Sequence, residues 1–141
     1  MCSSDLVAEG AKVACGGKRA SDKSFGYYPT VLTNVAFDAA ILKEEIFGPV
    51  APIVKFGDAD DVLAHCNSVE HGLVSYVFTQ DVGRGLKFAE ALETGMIGLN
   101  RGLVSDPAAP FGGVKASGLG REGGHDGLLA FLETKYVAGN W

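Results

Sequence analysis

The stretch Leu73-Val-Ser-Tyr-Val-Phe-Thr79, together with the residues that follow it as far as Asn100, indicates the class of fold. β-Branched and aromatic side chains dominate residues 73–79, which is typical of a strand. Asp81 is a favourable helix cap, and Gly95 ends the helical pattern directly before a second apolar run at residues 96–100. Because parallel strands are usually joined through a helix, these elements predict a β-α-β crossover.

The same alternation occurs once upstream. Residues 50–56 are mostly apolar and predict another strand. Asp58 then caps a helix whose apolar side chains recur at helical spacing: Ala59, Val62, Leu63 and Cys66. In the helix after Asp81, the inward positions are Val82, Leu86 and Ala89. Strand, helix, strand, helix, strand with short connections predicts a doubly wound α/β fold, in which helices cover both faces of a parallel sheet.

Less regular sequence precedes this unit. Residues 12–15 and 28–35 predict two further strands, and the glycine-rich loop 16–26 separates them. Residues 4–9 resemble the end of a helix whose first turns are missing. We therefore expect the chain to be truncated.

A long loop, rich in glycine and proline, is predicted for residues 101–124. Loops longer than about 12–15 residues in a compact domain are usually functional, so we expect functional residues here. The apolar pattern of a last short helix follows at Leu128, Leu129 and Leu132, and residues 135–138 predict a final strand.

Composition limits the possible partners. The chain has 141 residues, which fits one domain, and its hydrophobic share of 47% is ample for a folded core. The net charge of −5 argues against nucleic acid and membrane surfaces as partners, because both attract clustered Lys and Arg. No apolar stretch reaches the roughly 18 residues that span a bilayer. Cys2, Cys15 and Cys66 lack the spacing of a disulfide framework or a zinc site, which predicts no metal and favours a reducing cytoplasm.

Two patterns could indicate chemistry but have simpler interpretations. Gly118-Leu-Gly-Arg-Glu-Gly123 matches the dinucleotide pattern G-x-G-x-x-G, yet no predicted strand directly precedes it, which favours a glycine turn. His65, Cys66 and His71 could form a metal or nucleophile cluster. Adjacent helical residues point in different directions, so a core thiol beside surface histidines is the favoured interpretation.

Two segments resemble the signatures of a known family. They are Glu44-Glu-Ile-Phe-Gly-Pro49 and Pro110-Phe-Gly-Gly-Val-Lys-Ala-Ser-Gly-Leu-Gly-Arg-Glu-Gly123. Both are similar to motifs of the aldehyde dehydrogenase superfamily, E-E-x-F-G-P and P-F-G-G-x-K-x-S-G-x-G-R-E-G, in the same order. At residue frequencies of about 5–7%, the second motif would match by chance less than about once in 10^10 start points. The resemblance runs from about Leu6 to the end and is strongest with the succinate-semialdehyde dehydrogenase branch, through residues 102–105 and 133–137.

The resemblance implies an NAD- or NADP-dependent enzyme that oxidises an aldehyde, with succinate semialdehyde to succinate as the expected reaction. Glu45 would accept hydrogen bonds from both hydroxyls of the nicotinamide ribose, and Phe47 would border the nicotinamide ring. Ser105 would donate a hydrogen bond to the far carboxylate of the substrate, and Phe111 would line its tunnel. Residues 1–141 would be the C-terminal part of the catalytic domain.

The resemblance assigns no catalytic residue to this chain. The nucleophilic cysteine and the glutamate base of the family lie upstream of the segment that resembles Asp5, and neither Cys15 nor Cys66 matches the nucleophile. We therefore expect the chain alone to be inactive. Arg101 departs from the Thr or acidic residue common in relatives, and a solvated side chain is the favoured interpretation.

Assembly is the other expectation. Residues 135–141 resemble the strand by which family members pair their subunits, which implies a homo-oligomer. Lys115, Arg121 and Glu122 are expected to form structural ion pairs. The alternative to an enzyme fragment is a non-catalytic module that binds or assembles with aldehyde dehydrogenase subunits through this tail.

Overall fold

The computed structural model describes residues 7–8, 10–57 and 59–141, without the side chains of residues 59 and 60. The chain divides into two units, the first ending at His65 and the second running from Cys66 to Trp141. Helix α1 (Ala59–Asn67) crosses this division. The predicted cap Asp58, the thiol of Cys2 and most of the predicted helix end at residues 4–9 lie outside the described residues.

The first unit contains a three-stranded sheet in the order β1-β2-β3. Strand β1 (Lys12–Cys15) pairs antiparallel with β2 (Thr30–Thr33), and β2 pairs parallel with β3 (Val50–Pro52). The two predicted early strands are therefore confirmed, and the second is shorter than expected. Leu32 is fully buried and packs in a small core with three other buried residues: Ala11, Val35 and Ala39.

The second unit contains the predicted β-α-β crossover. Strand β5 (Val74–Val77) and strand β6 (Met96–Leu99) pair in parallel, and helix α2 (Val82–Ala91) joins them. Asp81 caps this helix as expected, because its carboxylate accepts a hydrogen bond from the Arg84 N–H at 3.0 Å.

Two very short strands complete the sheets of the second unit, and a single turn of helix follows them. Strand β4 (His71–Gly72) pairs antiparallel with β7 (Val114–Lys115), which lies within the predicted long loop. Helix α3 (Asp126–Leu129) follows and ends before Leu132. None of the described helices has the length and apolar character to span a membrane.

The prediction of one doubly wound parallel sheet is wrong for the described strands. They form three separate sheets, and β3 pairs with β2 rather than with β5. The mixed α/β content is as expected. The error has a physical reason, since an apolar run predicts a strand but carries no information about which neighbour will occupy its hydrogen-bonding edge.

The predicted buried face of helix α2 is also wrong in part. The side chains of Val82 and Leu86 are 72% and 54% exposed, whereas Gly85 is buried. A Cβ on Gly85 would lie 2.9 Å from Leu99 Cδ1, so the missing side chain lets the helix approach β6 along the glycine face. The apolar side chains beside this face are left at the surface.

The predicted strand at residues 135–138 does not form in this chain. No regular structure follows α3, and Tyr136 and Val137 are exposed. A strand at a sheet edge needs a hydrogen-bonding partner, and no described segment of this chain pairs with the tail.

Candidate functional site

Residues 44–49 lead from a 3-10 helix (Ala40–Leu42) into β3. Hydrogen bonds hold the end of this segment, because Pro49 O accepts from the Thr30 N–H at 2.7 Å and Gly48 O accepts from the Val50 N–H at 2.8 Å. Glu45 and Phe47 are both exposed, and the Phe47 ring is 91% exposed. The first unit therefore presents a carboxylate and an aromatic ring on one short surface segment.

The long loop of the second unit is folded by its own hydrogen bonds. Phe111 and Glu122 exchange a pair of backbone bonds at 2.6 and 2.7 Å, which closes the segment between them. Asp106 forms a turn by accepting from the Ala108 N–H through its side chain, at 2.9 Å. Ser105, directly before this turn, is exposed.

A cavity of about 300 Å³ lies beside this loop within the second unit. Its walls combine apolar residues and glycines with three polar residues, one of each charge among them: Leu73, Phe111, Gly112, Gly113, Ser117, Leu119, Gly120, Arg121, Glu122, Ala130 and Phe131. Of the two predicted substrate residues, Phe111 lines the cavity and Ser105 does not. This cavity therefore contains only one of the two predicted substrate contacts.

The glycines that match G-x-G-x-x-G form turns. Gly118, Gly120 and Gly123 have φ of 116°, 76° and 69°, a region that L side chains rarely adopt. The helix that follows them, α3, has only four residues. This geometry supports the glycine-turn interpretation over a dinucleotide fingerprint.

The polar residues of the second motif bind mainly to backbone. Lys115 Nζ pairs with Glu93 Oε2 at 2.6 Å, which confirms the expected ion pair for this residue. Arg121 differs from the expectation, because its Nη1 donates to the carbonyl oxygens of Gly113 and Gly120 at 2.9 and 2.7 Å. These contacts hold the loop in shape.

Sequence reasoning missed Asn100. The Asn100 side chain exchanges two hydrogen bonds of 2.8 Å with the backbone of Thr79. The signal that could have found it is an amide residue at the end of a strand, where Asn readily adopts the left-handed conformation.

Neither described cysteine has the features of an activated nucleophile. Cys15 and Cys66 are both exposed, so the prediction that the Cys66 thiol lies in the core is wrong. Partial desolvation nevertheless raises the pKa of the Cys66 thiol, whereas reactive thiols have a lowered pKa. His65 packs edge-to-face against the Phe37 ring at 4.8 Å. Among the residues that the structure describes, no group of three or more His, Cys, Asp or Glu could hold a metal ion.

Comparison with protein families and curated proteins gives consistent matches. A model of the aldehyde dehydrogenase family matches residues 2–137. Glutarate-semialdehyde dehydrogenase of Pseudomonas putida is 50% identical over 94% of this chain, which covers 27% of that protein. Succinate-semialdehyde dehydrogenase [NADP(+)] of Escherichia coli is 46% identical over 94% of this chain, which covers 28% of that protein. The chain thus spans little more than a quarter of these relatives.

Solved structures agree. The crystal structure of an Escherichia coli NADP-dependent enzyme has a TM-score of 0.88 and 45% identity, over 95% of this chain and 28% of that one. An aldehyde dehydrogenase from Bacillus cereus in complex with NAD+ has a TM-score of 0.79 and 43% identity, over 86% of this chain and 25% of that one.

Proposed function

The chain belongs to the aldehyde dehydrogenase family, and from this premise we propose that residues 1–141 are the C-terminal part of the catalytic domain of an NAD(P)-dependent semialdehyde dehydrogenase. Succinate semialdehyde, oxidised to succinate, is the expected substrate. One observation carries the proposal: relatives named for glutarate and succinate semialdehydes match 94% of the chain at 50% and 46% identity. Cytoplasmic localisation stays a prediction.

Glu45 and Phe47 are suited to hold the nicotinamide end of the cofactor. A carboxylate offers two acceptor oxygens, enough for both hydroxyls of a ribose. The exposed Phe47 ring offers an apolar surface two residues along the same segment. NAD(P) supplies the hydride acceptor when bound, and these two side chains orient it. The named relatives support either cofactor, since one is an NADP(+) enzyme and another was solved with NAD+.

Ser105 and Phe111 are the proposed substrate contacts. A semialdehyde of a dicarboxylic acid has an aldehyde at one end and a carboxylate at the other. The exposed Ser105 hydroxyl can donate to that carboxylate, and Phe111 borders the cavity of the second unit. Glutarate and succinate semialdehydes differ by one methylene, which pockets discriminate by only about 1–3 kcal/mol. The relatives therefore support an acidic semialdehyde as the class of substrate more strongly than they support one number of carbon atoms in that substrate.

The chain alone is proposed to be inactive. Thioester formation needs a thiolate, and the raised pKa of Cys66 disfavours that form. Cys15 lies on β1 in the first unit, where its Sγ contacts Pro29 O at 3.9 Å. We expect the family's nucleophile and base to come from sequence outside this chain.

A second candidate function rests on the exposed apolar residues at the end of the chain. Large apolar side chains of α3 and the tail are all exposed: Leu128, Leu129, Phe131, Leu132, Tyr136, Val137 and Trp141. Contiguous exposed apolar surface often marks a protein interface. A module that assembles with aldehyde dehydrogenase subunits, or a homo-oligomer formed through residues 135–141, would bury it.

A chimera tests the proposal. In the chimera, the full 141-residue chain replaces the matching segment of the Escherichia coli relative. We expect NAD(P)H formation from succinate semialdehyde by the chimera and none by the isolated chain. An inactive chimera, together with co-purification of the isolated chain and the intact relative, would favour the assembly module instead.

Ser105→Ala in the chimera tests the substrate contact. Loss of a hydrogen bond to a charged group costs about 1.5–3 kcal/mol, so the KM for succinate semialdehyde should rise roughly 10- to 150-fold. The KM for butanal, which has no carboxylate, should stay within twofold. Ser21→Ala, an exposed serine in the first unit, is the matched control. An equal effect on both aldehydes would remove Ser105 from carboxylate recognition.

A further inference from the structure

Asn100 extends the pairing of two parallel strands beyond their last residues. Its Oδ1 accepts a hydrogen bond from the Thr79 N–H, and its Nδ2 donates to the Thr79 carbonyl oxygen, both at 2.8 Å. The Asn100 backbone N–H donates to Val77 O, also at 2.8 Å. The side-chain amide thus substitutes for the next peptide group of the ladder, and it satisfies both backbone groups of Thr79.

The chain turns sharply at the same residue. Asn100 has φ of 53°, a left-handed conformation that is uncommon outside glycine. Directly after it, the Arg101 carbonyl folds back against β6, where a Cβ on Gly98 would lie 2.9 Å from the Arg101 oxygen. The direction in which the loop leaves the sheet is therefore set by Asn100 and by the glycine at position 98.

Thr79 is itself held in place by the N-terminus of α2. Its Oγ1 accepts a hydrogen bond from the Asp81 N–H at 3.1 Å, and the Asp81 carboxylate caps the helix. Asn100 therefore anchors the loop to a segment that is fixed to both a strand and a helix.

Ser105 lies between this anchor and a second one. On its far side, the Asp106 turn is tied down because Pro107 O accepts a hydrogen bond from the Gly124 N–H at 2.9 Å. A loop held at both ends keeps a side chain between them in a narrow range of positions. Release of either end widens that range and weakens any hydrogen bond that depends on it.

We propose that Asn100 is a positioning residue for substrate recognition, because its side-chain amide holds Thr79 and thereby fixes the loop that presents Ser105 to the substrate carboxylate. This inference rests on the proposed function, in which Ser105 binds that carboxylate. Asn100 touches neither substrate nor cofactor in this role.

Asn100→Gly and Gly98→Ala in the chimera test the inference from two directions. Glycine at position 100 still permits the left-handed backbone conformation, but it removes both side-chain hydrogen bonds to Thr79. Gly98→Ala keeps those bonds, and its Cβ would lie 2.5 Å from Tyr76 Cδ1 and 2.9 Å from the Arg101 oxygen, so that both the Tyr76 ring and the start of the loop must shift. For each variant we expect the KM for succinate semialdehyde to rise about tenfold, with kcat within twofold and the KM for butanal unchanged. Asn34→Gly is the matched control, since Asn34 has a similar φ of 56° in the first unit.

A merely structural role for Asn100 would give a different result. Damage to the fold would lower kcat for both aldehydes together, and that outcome would overturn the inference while leaving the proposed function intact. If the wild-type chimera is inactive, the proposed function fails instead. In that case, hydrogen exchange of the Thr79 backbone N–H is measured in the isolated 141-residue chain. Exchange at least tenfold faster in Asn100→Gly than in the wild-type chain supports the proposal that Asn100 anchors Thr79, and an unchanged rate refutes it.

Discussion

Lys115→Met should destabilise the second unit by about 2 kcal/mol. The Lys115 ammonium pairs with Glu93 and donates hydrogen bonds to Asn67 O at 2.7 Å and Val69 O at 3.3 Å. The Glu93 carboxylate is 58% exposed, so the ion pair contributes only about 0.2–1 kcal/mol. The bonds from a charged donor add about 1.5–3 kcal/mol, and we take the low end because water reaches them.

Two further variants separate these contributions. Glu93→Gln keeps an acceptor oxygen and should cost less than about 1 kcal/mol. Lys115→Gly loses the same contacts as Lys115→Met, but Lys115 has φ of 57°, and relief of this left-handed strain should return about 1 kcal/mol. The expected order of destabilisation is therefore Lys115→Met first, with Lys115→Gly and Glu93→Gln milder.

Urea unfolding of the 141-residue chain, followed by far-ultraviolet circular dichroism, measures these differences. Lys135→Met in the exposed tail is the matched control and should change the free energy of unfolding by less than about 0.5 kcal/mol. The reasoning is refuted if Lys115→Met costs no more than Glu93→Gln, or if Lys115→Gly is the most destabilising of the three.

Three further predictions concern Glu45, Cys66 and the exposed apolar residues. In the chimera, Glu45→Gln should lower kcat about tenfold with little change in aldehyde KM, because one ribose hydroxyl loses its acceptor, while Glu44→Gln should have no effect. Because partial burial raises the pKa of the Cys66 thiol, its thiolate forms only at higher pH, and its alkylation by iodoacetamide should reach half-maximal rate at a higher pH than that of the small thiol N-acetylcysteine; coincident profiles would contradict this. The isolated chain should bind a hydrophobic dye through its exposed apolar residues, and Phe131→Ser should reduce the fluorescence; a monomer without dye binding and with a sharp thermal transition would show that this surface is covered.

The crossover of the second unit could be predicted because its signals are local. Asp81 caps α2 through a residue three positions away, and Gly95 lies just before β6. The pairing of β4 with β7 could not be predicted, because it joins Gly72 to Val114 across the whole crossover. Short strands of this kind have too few residues to show a periodic pattern.

The candidate site likewise contains residues that a local motif identifies and residues whose role depends on a distant partner. The family motifs point to Glu45, Phe47 and Phe111, and the structure places the first two at the surface and the third beside a cavity. Asn100 escaped notice because its role depends on a hydrogen bond to Thr79, and nothing in the local sequence pattern specifies that partner. The tail strand could not be tested by one chain, since edge strands are defined by what pairs with them.

The second family motif, residues 110–123, acts mainly as a structural frame, in which backbone packing and hydrogen bonds hold the shape of the loop. A Cβ on Gly112 would lie 2.7 Å from Gly120 O, and one on Gly113 would lie 2.6 Å from the Ser117 Cβ, so the paired glycines are required by close backbone packing.

Ser117 in turn accepts a hydrogen bond from the Gly72 N–H at 2.9 Å, which ties the frame to β4. Glu45 and Ser105, which are proposed to bind cofactor and substrate, lie outside this frame, whereas the proposed substrate contact Phe111 belongs to it. Substitutions in the frame should therefore lower stability and activity together, whereas substitutions at Glu45 and Ser105 should change kinetic constants in a chain that folds normally.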